Sequence, residues 1–257
     1  MKFQSVPDYE AMSRLAAKKM FELIAAAAHA GRPFRLGLAT GNTMLKVYEY
    51  LAEELNRNRT PLARLSTYNL DEYVGPDGRS VPDTHPLSYR RYMRENLFSR
   101  LDPALGFSEE RAWFPDGDDP AGHDRRIAAA GGLDFQLLGI GFNGHIAFNE
   151  PMSESVISAA DFAELPSRLI DLTETTIATN TRLTAGGDRE LMPRQAVTQG
   201  MKAILESREI LLLACFPEQE KPLRAIRTGR PTPELPASLL LTHPDATIVW
   251  TADCIHL

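Results

Sequence analysis

Apolar residues recur at helical spacing near the start of the chain. Between residues 8 and 30 they fall on one face of a helix, which Asp8 can cap and Gly31-Arg32-Pro33 would end. The apolar positions of this face are Met12, Leu15, Ala16, Met20, Leu23 and Ala27. The pattern predicts an amphipathic helix that packs one side against a core.

Short apolar runs then alternate with helical patterns along the rest of the chain. The predicted strands are Phe34–Leu38, Leu65–Leu70, Leu133–Ile140, Leu169–Leu172, Glu209–Phe216 and Ala246–Thr251. The predicted helices are about 44–56, 87–100, 120–130, Gln195–Glu206, Glu218–Thr228 and Pro236–Leu241. This alternation predicts an α/β fold with a parallel sheet covered by helices on both faces.

No repeat, low-complexity tract or linker divides the sequence, so we expect residues 1–257 to form a single domain. Residues 173–193 are polar and contain glycines, which favours a surface segment. Residues 150–185 could form a lid or cap.

The net charge of −6, without a basic tract, argues against binding to nucleic acid or to an anionic membrane surface. An anionic substrate would then be held by local donors. The first residues contain no apolar signal segment, and no apolar run approaches the ~20 residues of a membrane span. Cys215 and Cys254 lack metal-ligand spacing, so we expect free thiols, no metal site and a cytoplasmic protein.

The most informative segment is residues 141–151, which read Gly-Phe-Asn-Gly-His-Ile-Ala-Phe-Asn-Glu-Pro after a predicted strand. Open α/β sheets build their sites beyond the carboxyl ends of their strands. Histidine is the side chain suited to proton exchange near neutral pH, and the carboxylate of Glu150 could fix the tautomer of His145. A loop histidine can simply pack locally, but this concentration of glycine, histidine and carboxylate favours acid–base chemistry on a small molecule.

Another strand end leads into the turn Thr40–Thr43, which opens a helix. This geometry presents backbone N–H groups and a helix dipole to an anion, and two threonine hydroxyls add donors. The turn lacks the lysine of a Walker A loop and the GxGxxG spacing, so it does not indicate a nucleotide site. Taken alone, an ordinary capped turn is the better explanation.

Adjacent acids, Asp71 and Glu72, follow the next predicted strand. Neighbouring side chains point in different directions, so one of the two could face a crevice. Taken alone, a turn acid or helix-start acid is the simpler interpretation.

Two cations could bind a phosphate, Arg182 through paired hydrogen bonds and Lys221 as a point charge. Exposed Arg and Lys are common, so each taken alone is most often a solvated charge. We interpret Tyr89 and Tyr92 as packing residues.

Five segments together carry a resemblance to glucosamine-6-phosphate deaminases, within a wider group that includes galactosamine-6-phosphate deaminases and 6-phosphogluconolactonases. They are Leu38–Thr43, Asn69–Tyr73, His85–Tyr89, Gly141–Pro151 and Pro236–Ser238. The resemblance runs over almost the whole chain. It implies a three-layer αβα sandwich with a mostly parallel, Rossmann-like open sheet. It also implies conversion of glucosamine 6-phosphate and water into fructose 6-phosphate and ammonia, without metal or organic cofactor.

The resemblance implies a role for each matching residue. Asp71 would move a proton between C2 and C1 during enolisation, His145 would open the pyranose ring, and Glu150 would be the partner of the histidine. The phosphate-binding residues that it implies are Thr40, Gly41, Asn42, Thr43, Arg182 and Lys221.

The chain departs from the family pattern in places. Asn143 stands two residues before the histidine, where many members have a carboxylate; it can orient neighbours by hydrogen bonding but cannot shuttle a proton. Leu183-Thr184 replaces the usual phenylalanine pair after the arginine. Ile170 replaces a basic residue and the C-terminal tail is short, which argues against allosteric activation by an acetylated amino sugar phosphate.

Alternatives to glucosamine 6-phosphate stay open at this stage. The C4 epimer, galactosamine 6-phosphate, is the nearest rival. A sugar-lactone hydrolase would need the histidine but not Asp71, and a non-catalytic sensor would have little reason to keep Asp71, His145 and Glu150 together. In each case the expected partner is a small sugar phosphate, and a homo-oligomer is allowed.

Overall fold

The computed structural model describes all 257 residues. Its strands are β1 (Lys2–Val6), β2 (Phe34–Leu38), β3 (Leu65–Asn69), β4 (Asp71–Val74), β5 (Ala112–Trp113), β6 (Phe135–Gly139), β7 (Arg168–Asp171), β8 (Gln195–Thr198), β9 (Ile210–Ala214) and β10 (Ala246–Thr251). Its α-helices are α1 (Tyr9–His29), α2 (Leu45–Arg57), α3 (Tyr89–Asn96), α4 (Pro120–Ala130), α5 (Ala159–Ala163), α6 (Glu174–Leu183), α7 (Met201–Leu205) and α8 (Glu220–Thr228). Short 3-10 helices cover Asn42–Met44, Phe98–Arg100, Pro103–Leu105, Glu109–Arg111, Pro217–Gln219 and Pro236–Thr242.

The main sheet has seven strands in the order β1-β10-β9-β6-β2-β3-β5, and every neighbouring pair is parallel. All five residues of β9 are buried, so side chains are covered on both faces of the sheet. The predicted α/β class, with its mostly parallel, Rossmann-like sheet between helices, is confirmed. The direction in which the strand order grows reverses between β2 and β6, which is where such folds leave a crevice.

A second sheet, which the sequence pattern does not predict, contains three antiparallel strands in the order β4-β8-β7. Leu70 joins the two sheets: its N–H donates to the carbonyl of Leu38 (3.1 Å), and its carbonyl accepts from the N–H of Gln199 (2.7 Å). The chain therefore turns out of the main sheet directly before Asp71. In the β4–β8 register, Asp71 lies opposite Thr198.

The predicted helix Gln195–Glu206 is wrong over its first part. Gln195–Thr198 is the central strand of the second sheet, and the helix begins only at Met201, after Gly200. This strand is paired on both sides, by β4 and by β7. Pairing with distant strands overrides local preference and leaves no signal in a short window of sequence.

Two further elements differ from the sequence prediction. The polar segment 173–193, expected as a surface segment, contains α6, where the Thr173 hydroxyl caps the helix and Ile177 is buried. The N-terminal residues Lys2–Val6 form β1, an edge strand beside β10. In both, tertiary contacts stabilise segments whose hydrophobic pattern is weak.

The largest buried cluster contains residues from Val6 to Ile255, so both ends of the chain share one core. A smaller cluster that includes Tyr73, Phe148 and Ile177 packs beneath the second sheet. No helix combines the length and the apolar character needed to cross a lipid bilayer. A single domain with a lid at residues 150–185 stays a prediction.

Candidate active site

A cavity of about 220 Å³ lies at the carboxyl ends of β2, β3 and β6, where the strand order reverses. Such a crevice is the usual ligand site of an open α/β sheet. Its lining includes Thr40, Gly41, Asn42, Thr43, Asp71, Tyr89, Tyr92, His145, Phe148, Asn180, Leu183 and Thr184. The structure therefore brings the Thr40–Thr43 turn, Asp71 and His145 together around one cavity.

The turn after β2 borders one end of this cavity. Gly41 has φ of 104°, a conformation that favours glycine, and no atom occupies the space where its Cβ would lie. The Tyr92 hydroxyl donates to the Gly41 carbonyl at 2.8 Å, and the Tyr9 hydroxyl donates to the Asn42 carbonyl at 3.0 Å. These contacts hold the turn at the start of its 3-10 helix, and Thr43 is buried beneath it.

The two predicted phosphate cations lie outside the lining of the cavity. Arg182 is exposed on α6 and its guanidinium donates to Glu218 at 3.4 Å. Lys221 lines a separate, more open hollow of about 620 Å³ on α8, which contains none of the acid–base residues. Arg182 could reach the cavity only by leaving Glu218, and the phosphate role of both cations stays a prediction.

Asp71 is buried at the base of the cavity. The Thr198 hydroxyl donates to its Oδ1 at 2.5 Å, and the Phe148 N–H donates to the same oxygen at 3.3 Å. Burial raises the pKa of Asp71 to about 7, and these hydrogen bonds only partly offset that desolvation. A carboxylate with this pKa can both take and return a proton near neutrality.

Glu72 points away from the cavity and holds α3. Its carboxylate accepts from the N–H groups of Tyr89 (2.9 Å) and Arg90 (3.0 Å), from its neighbour Tyr73 N–H (2.9 Å) and from the Ser88 hydroxyl (3.1 Å). The expectation that the two adjacent acids diverge is confirmed. Because Glu72 fixes the start of α3, it also positions the helix that carries aromatic side chains into the cavity wall.

From the sequence we interpret Tyr89 and Tyr92 as packing residues, but the structure also places them at the cavity. Both line the cavity. The Tyr89 hydroxyl donates to the Tyr73 hydroxyl, and the Asn180 amide donates to that same oxygen, each at 3.1 Å. Packing alone is therefore an incomplete interpretation of these tyrosines.

His145 and Glu150 lie next to each other, as the loop sequence predicts. Nδ1 of His145 is 3.3 Å from Oε2 of Glu150. An ionised carboxylate at this position favours a proton on Nδ1, which leaves Nε2 as a base. A Cβ on Gly141 would lie 2.4 Å from that Nε2, so only glycine leaves room for the ring in this position.

Glu150 accepts two further hydrogen bonds, from the Asn143 amide at 2.7 Å and from the Thr176 hydroxyl at 2.5 Å. Burial opposes ionisation of Glu150, but the contacts with His145, Thr176 and Asn143 outweigh it and lower its pKa. The side-chain Oδ1 of Asn143 accepts a hydrogen bond from the backbone N–H of His145 at 3.2 Å. Asn143 therefore contacts both Glu150 and His145 and can orient them. Its catalytic role stays a prediction.

The loop that carries this pair is held in a strained shape. Ala147 has φ of 54°, which non-glycine residues seldom adopt. Asn149 is fully buried and donates to the carbonyls of Ile146 (3.1 Å) and Gln199 (2.9 Å). The guanidinium of Arg168 donates to the side-chain Oδ1 of Asn149 at 2.8 Å. Contacts from β7 and from the end of β8 therefore hold the loop in place.

Sequence reasoning missed Thr176 and Thr198, which contact the two carboxylates. Thr176 lies in the segment expected at the surface, and Thr198 in the part of the chain wrongly predicted as helix. A possible signal for Thr176 was its place three residues after Thr173 at a helix start. Thr198 is 127 residues from Asp71, and no local pattern indicates that contact.

The fold and the site define an α/β enzyme that moves protons on a small molecule. The family described as "Glucosamine-6-phosphate isomerases/6-phosphogluconolactonase" matches residues 7–250, and the chain belongs to this family. A glucosamine-6-phosphate deaminase of Rhodopirellula baltica is 40% identical to it, over 97% of this chain and 92% of that protein. One of a Geobacillus species is 38% identical, over 100% and 96%.

Solved structures agree with this assignment. The structure of a monomeric glucosamine-6-phosphate deaminase superposes with a TM-score of 0.86 at 28% identity, covering 99% of this chain and 98% of that one. A 6-phosphogluconolactonase of Thermotoga maritima superposes with a TM-score of 0.70 at 20% identity, covering 97% and 98%. The second similarity concerns the fold alone.

Proposed function

We propose that this protein converts glucosamine 6-phosphate and water into fructose 6-phosphate and ammonia. The observation that carries the proposal is that one cavity joins a buried carboxylate, Asp71, whose pKa is about 7, to a histidine paired with an ionised carboxylate. Isomerisation between adjacent carbons needs a carboxylate such as Asp71, and opening of a sugar ring needs a base such as the paired histidine. The deaminases that resemble the chain over nearly its full length support the same reaction.

Ring opening is assigned to His145. Its free Nε2 takes the proton of the anomeric hydroxyl and returns a proton to the ring oxygen as the C1–O5 bond breaks. Glu150 stabilises the imidazolium that forms in between, because it accepts a hydrogen bond from the Nδ1–H group while remaining ionised. Three donors around Glu150 keep it from taking that proton itself.

Isomerisation is assigned to Asp71. It removes the proton from C2 of the opened sugar and delivers it to C1. The aldehyde oxygen on C1 gains a proton as the nitrogen on C2 loses one, so C1 becomes an alcohol carbon and C2 an imine carbon. A pKa of about 7 suits both halves of this transfer, because the carboxylate is strong enough to accept the proton and the acid weak enough to hold it briefly. Water then replaces nitrogen at C2.

The phosphate is assigned to the turn Thr40–Thr43 at the end of the cavity, where backbone N–H groups and hydroxyls meet a helix start. Arg182 would join them after releasing Glu218, and Lys221 would contribute from a greater distance. Anchoring at the phosphate places C1 and C2 beside the acid–base groups.

The free cysteines Cys215 and Cys254 suit a reducing compartment, so we also propose a cytoplasmic location. A homo-oligomer stays a prediction, which size-exclusion chromatography with light scattering would test.

The test presents purified protein separately with glucosamine 6-phosphate, galactosamine 6-phosphate and 6-phosphogluconolactone. Ammonia and ketose phosphate are measured for the two amino sugars, and acid release for the lactone. We expect ammonia and fructose 6-phosphate from the first substrate at the highest kcat/KM. Absence of ammonia from both amino sugars would overturn the proposal, and a preference for the second would reassign the substrate.

A further inference from the structure

A second, smaller chamber of about 60 Å³ lies behind His145. It shares Gly141, His145 and Asn180 with the main cavity, so the imidazole borders both spaces. A water molecule takes up about 30 Å³ in the liquid, so the chamber has room for about two molecules of that size and none for a sugar.

The chamber is lined almost entirely by polar side chains. Thr175, Thr176 and Thr179 of α6 form one side, and Asn143 lies on the other. Thr175 is exposed, Thr179 is half-buried and Thr176 is buried, so the hydroxyls lead from solvent inward to the histidine. Small polar molecules find hydrogen-bond partners along this whole path.

The proposed reaction needs such a path. Once C2 has become an imine, water adds its oxygen to C2, the C2–N bond breaks, and both protons of that water end on nitrogen, which leaves as ammonia. The sugar phosphate itself fills the main cavity during this step. His145 acts at C1 and Asp71 at C1 and C2, so the chamber on the far side of His145 lies close to C2.

We propose that the chamber behind His145 is the exchange site for water and ammonia, which enter and leave there while the sugar stays bound. The inference rests on the proposed deaminase function and assigns α6 a role in it. Ammonia and water have nearly the same size and both form hydrogen bonds with hydroxyl groups, so one lining serves both.

The test runs the reaction in reverse, from fructose 6-phosphate and ammonium. Thr179→Leu fills the chamber without touching the main cavity, whose lining does not include Thr179. We expect the KM for ammonium to rise about tenfold and the KM for fructose 6-phosphate to stay within about twofold. The control is Ala178→Leu, which introduces the same leucine side chain on the exposed side of the same helix and should change neither constant.

An unchanged KM for ammonium, or an equal rise in both constants, would overturn the exchange site. If Thr179→Leu does not fold, as judged by circular dichroism, Thr175→Leu at the exposed mouth decides in the same assay. Wild-type protein is measured alongside: no ammonia from glucosamine 6-phosphate would mean that the deaminase function itself fails, a result distinct from failure of the chamber alone.

Discussion

Two carboxylates, one buried and one largely buried, serve this site from different regions of the molecule. Asp71 begins β4 in the second sheet and has a pKa raised to about 7, whereas Glu150 lies on the loop after β6 of the main sheet and has a lowered pKa. Burial acts on both in the same direction. Asp71 receives one close hydrogen bond and one longer one, while Glu150 receives three donors, one of them an imidazole.

The difference teaches that the number and charge of donors, together with the depth of burial, decide which carboxylate exchanges a proton. Glu150 stays ionised and can stabilise a charged histidine. Asp71 is left short of donors, so its neutral and ionised forms are close in free energy at neutral pH. Pairs of groups with such opposed environments mark the acid and base assignments of an enzyme.

The substitution with the largest expected effect removes the proton-exchanging carboxylate. Asp71→Asn keeps the shape of the side chain but cannot accept a proton, so we expect kcat to fall about 10³-fold. Binding of a non-reacting sugar phosphate, measured by calorimetry, should change by less than about threefold. A fall in affinity as large as the fall in rate would mean that Asp71 has a structural role instead.

The two carboxylates should also affect stability with opposite signs. Between its ordinary pKa of 3.8 and the folded value of about 7, Asp71 is ionised in the unfolded chain but neutral in the folded protein, so stability falls as pH rises through this window. Above a pH of about 7 the contribution of Asp71 to stability is fully lost. Glu150, with its lowered folded pKa, instead contributes stability that is present above its unfolded pKa and lost as pH falls through the folded one.

At pH 8, we therefore expect Asp71→Asn to raise the free energy of unfolding by about 2 kcal/mol and Glu150→Gln to lower it by a similar amount. The glutamine amide would face the donors that now bind a carboxylate. Urea unfolding at pH 8 and pH 5 measures both variants. Two changes of the same sign would contradict the contrast between the carboxylates.

A smaller effect should follow from the hydroxyl that contacts Asp71. The acid limb of kcat/KM should lie near pH 7 in the wild type, because Asp71 must be ionised to act. Thr198→Val removes the donor that favours the ionised form, so the limb should move up by about one pH unit and kcat/KM at pH 7 should fall about fivefold. Thr198→Ser keeps the hydroxyl and should restore the wild-type profile.

An unshifted limb in Thr198→Val, with kcat/KM reduced equally at every pH, would mean that Thr198 only packs. In that case Thr198→Ser would also have a reduced kcat/KM at every pH, because it lacks the methyl group.

The sequence predicts the five central strands of the main sheet, because each of them carries its own signal; the edge strands β1 and β5 do not. β9 is buried along its whole length, and its apolar run reports this directly. In the second sheet only β7 has such a signal. The strands β4 and β8 have none, since each is four residues long and is stabilised by pairing with distant strands. The same distinction applies to the site: His145 and Glu150 are five residues apart on one loop, whereas Asp71 meets Thr198 across 127 residues.

The smallest expected effect concerns Asn143, whose amide donates to Glu150 at 2.7 Å. Asn143→Asp would place a second carboxylate against Glu150, and at this distance one of the two groups would ionise only well above its ordinary pKa. One of them would hold a proton, which weakens the charge that stabilises the histidine. We expect kcat to fall about threefold at pH 7 and to recover at higher pH. Equal or higher activity at pH 7 would show that the pair shares its proton without loss, and that donor count around Glu150 matters less than the contrast with Asp71 implies.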